Sequence, residues 1–174
     1  MPVAKRLAKS AHAIAYGGSG PVTGPVIAGC TVTGQTLELR FNITNLRGDT
    51  VVVQSYNATA LASAMEVMVN GTTPRSPAPG VWINVQIAVS ADAGLAVVAV
   101  NLTSLNGSTP LAVRYAWGDS PCCLNFPLYP RGDQPCLPAS CPIMGKPSDL
   151  PAMPFVADIV DNRCRCRSPQ QCDG

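Results

Sequence analysis

A chain of 174 residues is long enough to bury a core as one domain, and a formal charge of +2 spread over scattered basic residues is too weak to grip nucleic acid or an anionic membrane. The longest apolar run, residues 95–100 with Ala93 and Gly94 before it, is far short of the roughly 20 residues that cross a bilayer. Neither a nucleic-acid partner nor a membrane span is expected.

The first element predicted is an amphipathic helix. Val3, Leu7, Ala11 and Ile14 recur every three or four positions opposite Lys5, Lys9 and His12, and Gly17-Gly18 ends the pattern. Everything after Gly18 reads as strand and loop, so this apolar stripe is expected to belong with an earlier domain. Residues 1–18 are assigned as its remnant. The β domain, residues 19–118, starts with Leu37, Leu39, Phe41 and Ile43 alternating with Glu38, Arg40, Asn42 and Thr44. Further strands are predicted at 51–53, 65–69, 81–89, 95–100 and 111–117, with turns at Asn70-Gly71 and Asn106-Gly107. The fold class expected is mainly β, an antiparallel sandwich or an open barrel. Residues 119–174 are rich in proline and cysteine, and the prolines between Pro121 and Pro154 predict loop without a central strand.

The 8 cysteines, at 30, 122, 123, 136, 141, 164, 166 and 172, crowd toward the C-terminus, and disulfides are their expected state. Connectivity does not follow from spacing, because eight cysteines allow about 105 complete pairings. Neither Cys164-x-Cys166 nor the 136/141 pair has the spacing of a structural zinc site, so no metal and no cofactor are expected. Asn-x-Ser/Thr acceptors begin at Asn42, Asn57, Asn70, Asn101 and Asn106, where random placement would leave roughly one. Cysteines and acceptors together indicate the secretory route. Residues 1–16 carry Lys5, Arg6, Lys9 and His12 without an uninterrupted apolar stretch, and the expectation that reconciles the two is missing upstream sequence.

Residues 111–122, LAVRYAWGDSPC, followed by Cys141-Pro142-Ile143 and by LPAMPFVADI at 150–159, resemble the C-terminal end of sialate O-acetylesterases. RLAKSAHAIAYG at 6–17 is similar to the segment that ends the catalytic domain of that family. Residues 18–110 match only in their strand pattern, and CRCRSPQQC has no counterpart. The resemblance implies a Cys122–Cys141 disulfide, with Cys123 and Cys136 as an additional pair inside that bracket. It also implies hydrolysis of O-acetyl esters on sialic acid or related sugars in a secreted or lysosome-like compartment. The partner implied is an upstream SGNH-type catalytic domain, because the serine motif and the Asp-x-x-His segment of the family would precede Met1. No catalytic residue is therefore assigned within the chain.

Several residues imitate a site. Gly118-Asp119-Ser120 copies the opening of a GDS-type esterase motif, but Pro121 and a strand exit follow it, so Ser120 reads as a turn residue. His12, the one histidine, reads as a solvated helix residue. Arg131-Gly132-Asp133 reads as a turn, and Asp158 with Asp161 forms no glycosidase pair. Trp82 and Trp117 are expected in the core. The alternative reading is an extracellular carbohydrate-binding or interaction module that uses a sheet face or these tryptophans on sugar rings.

Overall fold

The computed structural model describes residues 3–53, 64–70, 80–88, 96–117 and 141–166. Helix α1, Val3–Ala15, ends where Gly17 takes the left-handed conformation at φ 63° and the Gly18 N–H donates to the His12 carbonyl at 3.3 Å. Strands β1, Ile27–Thr33, and β2, Thr36–Phe41, form a hairpin around Gly34-Gln35. On β2 the predicted alternation holds: Leu37, Leu39 and Phe41 are buried, while Glu38 is half-buried and Arg40 exposed.

Ile43 departs from that pattern. Asn42 leaves the strand and accepts the Thr44 and Asn45 N–H groups on Oδ1, at 2.8 and 3.3 Å, which caps the short helix α2, Ile43–Leu46. The chain turns there and Ile43 is 75% exposed. Strands β3, Thr50–Val53, β4, Met65–Val69, β5, Val81–Asn84, β6, Gln86–Ile87, β7, Val97–Asn101, and β8, Pro110–Tyr115, lie where the sequence predicts them.

The expectation of loop beyond residue 118 is corrected by four strands: β9, Ile143–Lys146, β10, Leu150–Pro151, β11, Phe155–Val160, and β12, Arg163–Cys166. No proline falls between Pro154 and Pro169, so every backbone N–H from 155 to 166 is free to join a ladder. β11 accordingly sits between β8 and β12 inside the main sheet.

The main sheet has 9 strands in the order β5-β4-β8-β11-β12-β1-β2-β7-β6, all pairs antiparallel. Its two outermost strands are consecutive in the chain, separated by Val85 alone. Val85 donates its N–H to Met65 in β4 at 3.1 Å, and Ala88 donates to Ala99 in β7 at 2.8 Å. One segment thus bridges both rims, and the sheet is a nearly closed antiparallel barrel. This decides between the two architectures expected from the sequence.

Inside, Leu37, Leu39, Met65, Val67, Val98, Val100 and Val113 share one core with Val51 and Ile143 of the 3-stranded sheet β10-β9-β3. Tyr115 stacks on Phe155 with ring centroids 5.8 Å apart, and its hydroxyl accepts the Ile143 N–H at 3.3 Å, joining the two sheets. Cys30 of β1 and Cys164 of β12 form a disulfide across 134 residues, with Cα atoms 4.8 Å apart.

Candidate functional site

The described residues line an open groove of about 590 Å³ between α1 and the body of the barrel. Its floor is polar because Asp49 and Ser148, 99 positions apart, are both buried and joined there. The Ser148 hydroxyl and backbone N–H both donate to the Asp49 carboxylate, the latter at 3.2 Å. Ser148 Oγ in turn accepts the Leu150 N–H at 3.2 Å. Gly145 is part of the same design: a Cβ there would lie 2.5 Å from Asp49 Oδ2. These bonds satisfy groups whose burial would otherwise cost free energy, and they fix the turn between β9 and β10.

Helix α1 forms the roof. Lys9 Nζ donates to the Ser148 carbonyl at 2.9 Å, and Ala13, one turn on, is buried. The His12 ring lines the cavity, stacks on Tyr16 at 6.1 Å, and lies where a side chain on Gly18 would fall. Arg47, in the left-handed region at φ 43°, reaches the rim with Gly48 behind it. Nearby, the Lys146 ammonium donates to the Asp149 carboxyl and holds it below the usual carboxylate range against the opposing effect of desolvation, with a smaller contribution from the charge of Lys9.

His12, Asp49 and Ser148 therefore meet at one cavity, but not as a nucleophile and its base. Ser148 Oγ donates to Asp49, and among the described residues no hydrogen bond joins His12 to either. His12 is exposed, as expected of a solvated helix residue, whereas Asp49 and Ser148 were overlooked in the sequence. The only signal available was two small polar residues beside Gly48 and Pro147, which marks a turn and nothing more.

The remaining predicted residues are dispersed. Trp117 is 56% exposed, which corrects its assignment to the core. Trp82 is half-buried on the outer face, with the Arg114 guanidinium 4.2 Å from its ring centre. Arg114 also holds Glu66 on the neighbouring strand by two bonds of 2.6 and 3.0 Å. Asn70, Asn101 and Asn106 are exposed, whereas Asn42 is buried in its capping role. Cys141 and Cys166 are disulfide-bonded. Cys122, Cys123, Cys136, Cys172, Asn57, Ser120 and the Arg131-Gly132-Asp133 tripeptide lie outside the described residues. No helix among the described residues is long and apolar enough to cross a membrane.

The fold so defined is a nearly closed antiparallel barrel with a helix laid across a groove floored by Asp49 and Ser148. No family model matches the chain, and no curated protein does. Among solved structures, a carbohydrate acetylesterase from Xanthomonas citri has a similar fold, with a TM-score of 0.53 and 20% identity over 89% of this chain. The chain spans 27% of the length of that esterase.

Proposed function

We propose that the chain is the C-terminal β domain of a sialate O-acetylesterase-like protein, and that the reacting groups come from a catalytic domain seated on α1. The observation that carries this reading is the orientation of the helix. Lys9 bonds to the barrel and Ala13 on the same face is buried, while Leu7 and Ile14 on the opposite face are 64% and 69% exposed. Leu7, Ala11 and Ile14 form one apolar stripe at helical spacing, and covering each of the two large side chains is worth about 1.5–3 kcal/mol. The RYAW, Cys-Pro and Leu-Pro-Ala-x-Pro-Phe segments and the fold shared with a carbohydrate acetylesterase support the same reading. The cavity supports it differently, because its serine is bonded to a carboxylate and lacks the base that acyl transfer needs. The disulfides support passage through the secretory pathway to a secreted or lysosome-like destination.

The test has two arms. Purified chain is assayed for acetate release from O-acetylated sialic acid, with none expected. The chain is then mixed with the catalytic domain of a sialate O-acetylesterase stripped of its own β domain, and a complex is expected that Leu7→Asp with Ile14→Asp abolishes. Acetate release by the chain alone that depends on His12 or Ser148 overturns the reading, as does association indifferent to the double substitution.

A carbohydrate-binding role has one observation in its favour, the exposed ring of Trp117. Glycan binding by the isolated chain that Trp117→Ala removes would establish it in place of the first reading.

A further inference from the structure

The asparagines that head Asn-x-Ser/Thr triplets are unevenly placed on the barrel. The β1–β2 hairpin runs from Ile27 paired with Phe41 to Thr33 paired with Thr36, about 20 Å for the 7 residues of β1. Pro21 ahead of β1 and Arg47 and Asp49 after β2 line the groove under α1, which marks the first end. A short 3-10 helix, η1, Thr103–Leu105, marks the other, where Thr36 pairs with Asn101 and the Leu102 N–H donates to the Gln35 carbonyl at 2.9 Å. Leu102 and Leu105 are buried in the core, while Asn101 and Asn106 beside them are exposed. Asn101 Oδ1 accepts the Thr103 N–H at 2.8 Å, and its Nδ2 has no partner among the described residues. Asn106, left-handed at φ 49°, donates its backbone N–H to the Thr103 carbonyl at 3.2 Å, and its side chain is unpaired among the described residues. Exposed Asn70 belongs to the same end, since it follows Val69, whose partner Pro110 lines a hollow with Gly34, Leu102 and Leu105. Asn42, at the α1 end, is the buried one.

Exposed apolar side chains favour the opposite end. Ile43 and Met153 flank the start of β1, where the Asn42 and Met153 N–H groups donate to Val26 and Pro25 at 2.8 and 2.9 Å, and Leu7, Ile14 and Tyr16 stand on α1. At the η1 end the exceptions are Val160 and Val81, the latter opposite Val69 and so beside Asn70. We propose that Asn101 and Asn106 both carry N-linked glycans, with Asn70 a third, so that the η1 end of the barrel is clothed in sugar and the α1 end is the bare face for protein contact. The donor is a lipid-pyrophosphate oligosaccharide of the secretory pathway: a bond forms between the sugar C1 and Asn Nδ2, the C1–O bond to the pyrophosphate breaks, the lipid pyrophosphate leaves and the amide gives up one proton. The glycans stand on this chain's own geometry, and only the identity of the partner rests on the reading of α1 as the seat of a catalytic domain.

Chain secreted from a host that performs N-glycosylation tests this by glycopeptide mass spectrometry. Sugar is expected on both Asn101 and Asn106, with Thr103→Ala and Ser108→Ala each deleting one glycan from the intact mass. Both substitutions abolish an acceptor motif at an exposed residue while leaving the Asn101 cap and the left-handed Asn106 in place. Either asparagine left bare in most molecules overturns the proposal. Binding to the catalytic domain of a sialate O-acetylesterase stripped of its own β domain is then compared before and after enzymatic removal of the sugar, with affinities within about twofold expected. Affinity that rises about tenfold on removal overturns the proposal, because it puts the contact at the η1 end. Absence of binding in both forms overturns the reading of α1 instead, and the sugar map still decides between glycan-bearing and bare asparagines.

Discussion

Asn42, 7% exposed, closes the ladder of β2 and opens α2 with the same side chain, while its own N–H donates to the Val26 carbonyl at 2.8 Å. Its sequence context, Asn-Ile-Thr, also spells a glycan acceptor, and the two roles exclude each other in the folded chain because a glycan on Nδ2 has no room at a buried cap. Asn42→Ala is expected to cost about 0.5–2 kcal/mol in urea unfolding. Peptide mapping of chain made in a secretory host is expected to find sugar at Asn70, Asn101 or Asn106 and none at Asn42. Asn101 is the instructive contrast: its Oδ1 caps Thr103 at 2.8 Å as Asn42 caps its helix, yet the side chain faces solvent. One motif thus carries different consequences according to burial, which a reading of Asn-x-Thr by itself does not contain.

Among the elements, those whose side chains alternate were legible from sequence. Met65–Val69 is found with the bounds that its alternating burial implies, and Leu37, Leu39 and Phe41 line the core as their spacing requires. Misreadings arise where a local signal was overruled nearby. Ile43 continues the period of β2 but stands after a cap, and proline density up to Pro154 hides a proline-free stretch that becomes β11 and β12. The cavity was illegible for another reason: Lys9, Asp49 and Ser148 converge only once the barrel has brought distant turns beneath α1. The Cys30–Cys164 disulfide is of the same kind, a pairing of neighbouring strands 134 residues apart that spacing does not suggest. Replacing both by alanine is expected to lower unfolding free energy by about 2–5 kcal/mol, read as a fall in the urea midpoint, because so long a loop is no longer closed in the unfolded chain.

At the scale of the whole molecule, the barrel depends on a short seam. Residues 81–88 serve β4 with their first half and β7 with their second, and buried Val85 stands at the crossing. Val85→Pro removes the N–H that reaches Met65 and locks φ where the segment changes partners. The expected loss is about 2–4 kcal/mol of stability by urea unfolding, with concentration-dependent self-association by light scattering as the two rims lose their cover. A stability equal to that of the parent chain would show that closure contributes nothing.

That seam also ties the two ends of the chain's path together. Its two sides, β4 and β7, stand at opposite ends of an arc that runs through β8, β11, β12, β1 and β2. Residues 81–88 can pair with β4 or with β7 at any time, but they hold both at once only when the arc between them, the C-terminal hairpin included, is complete.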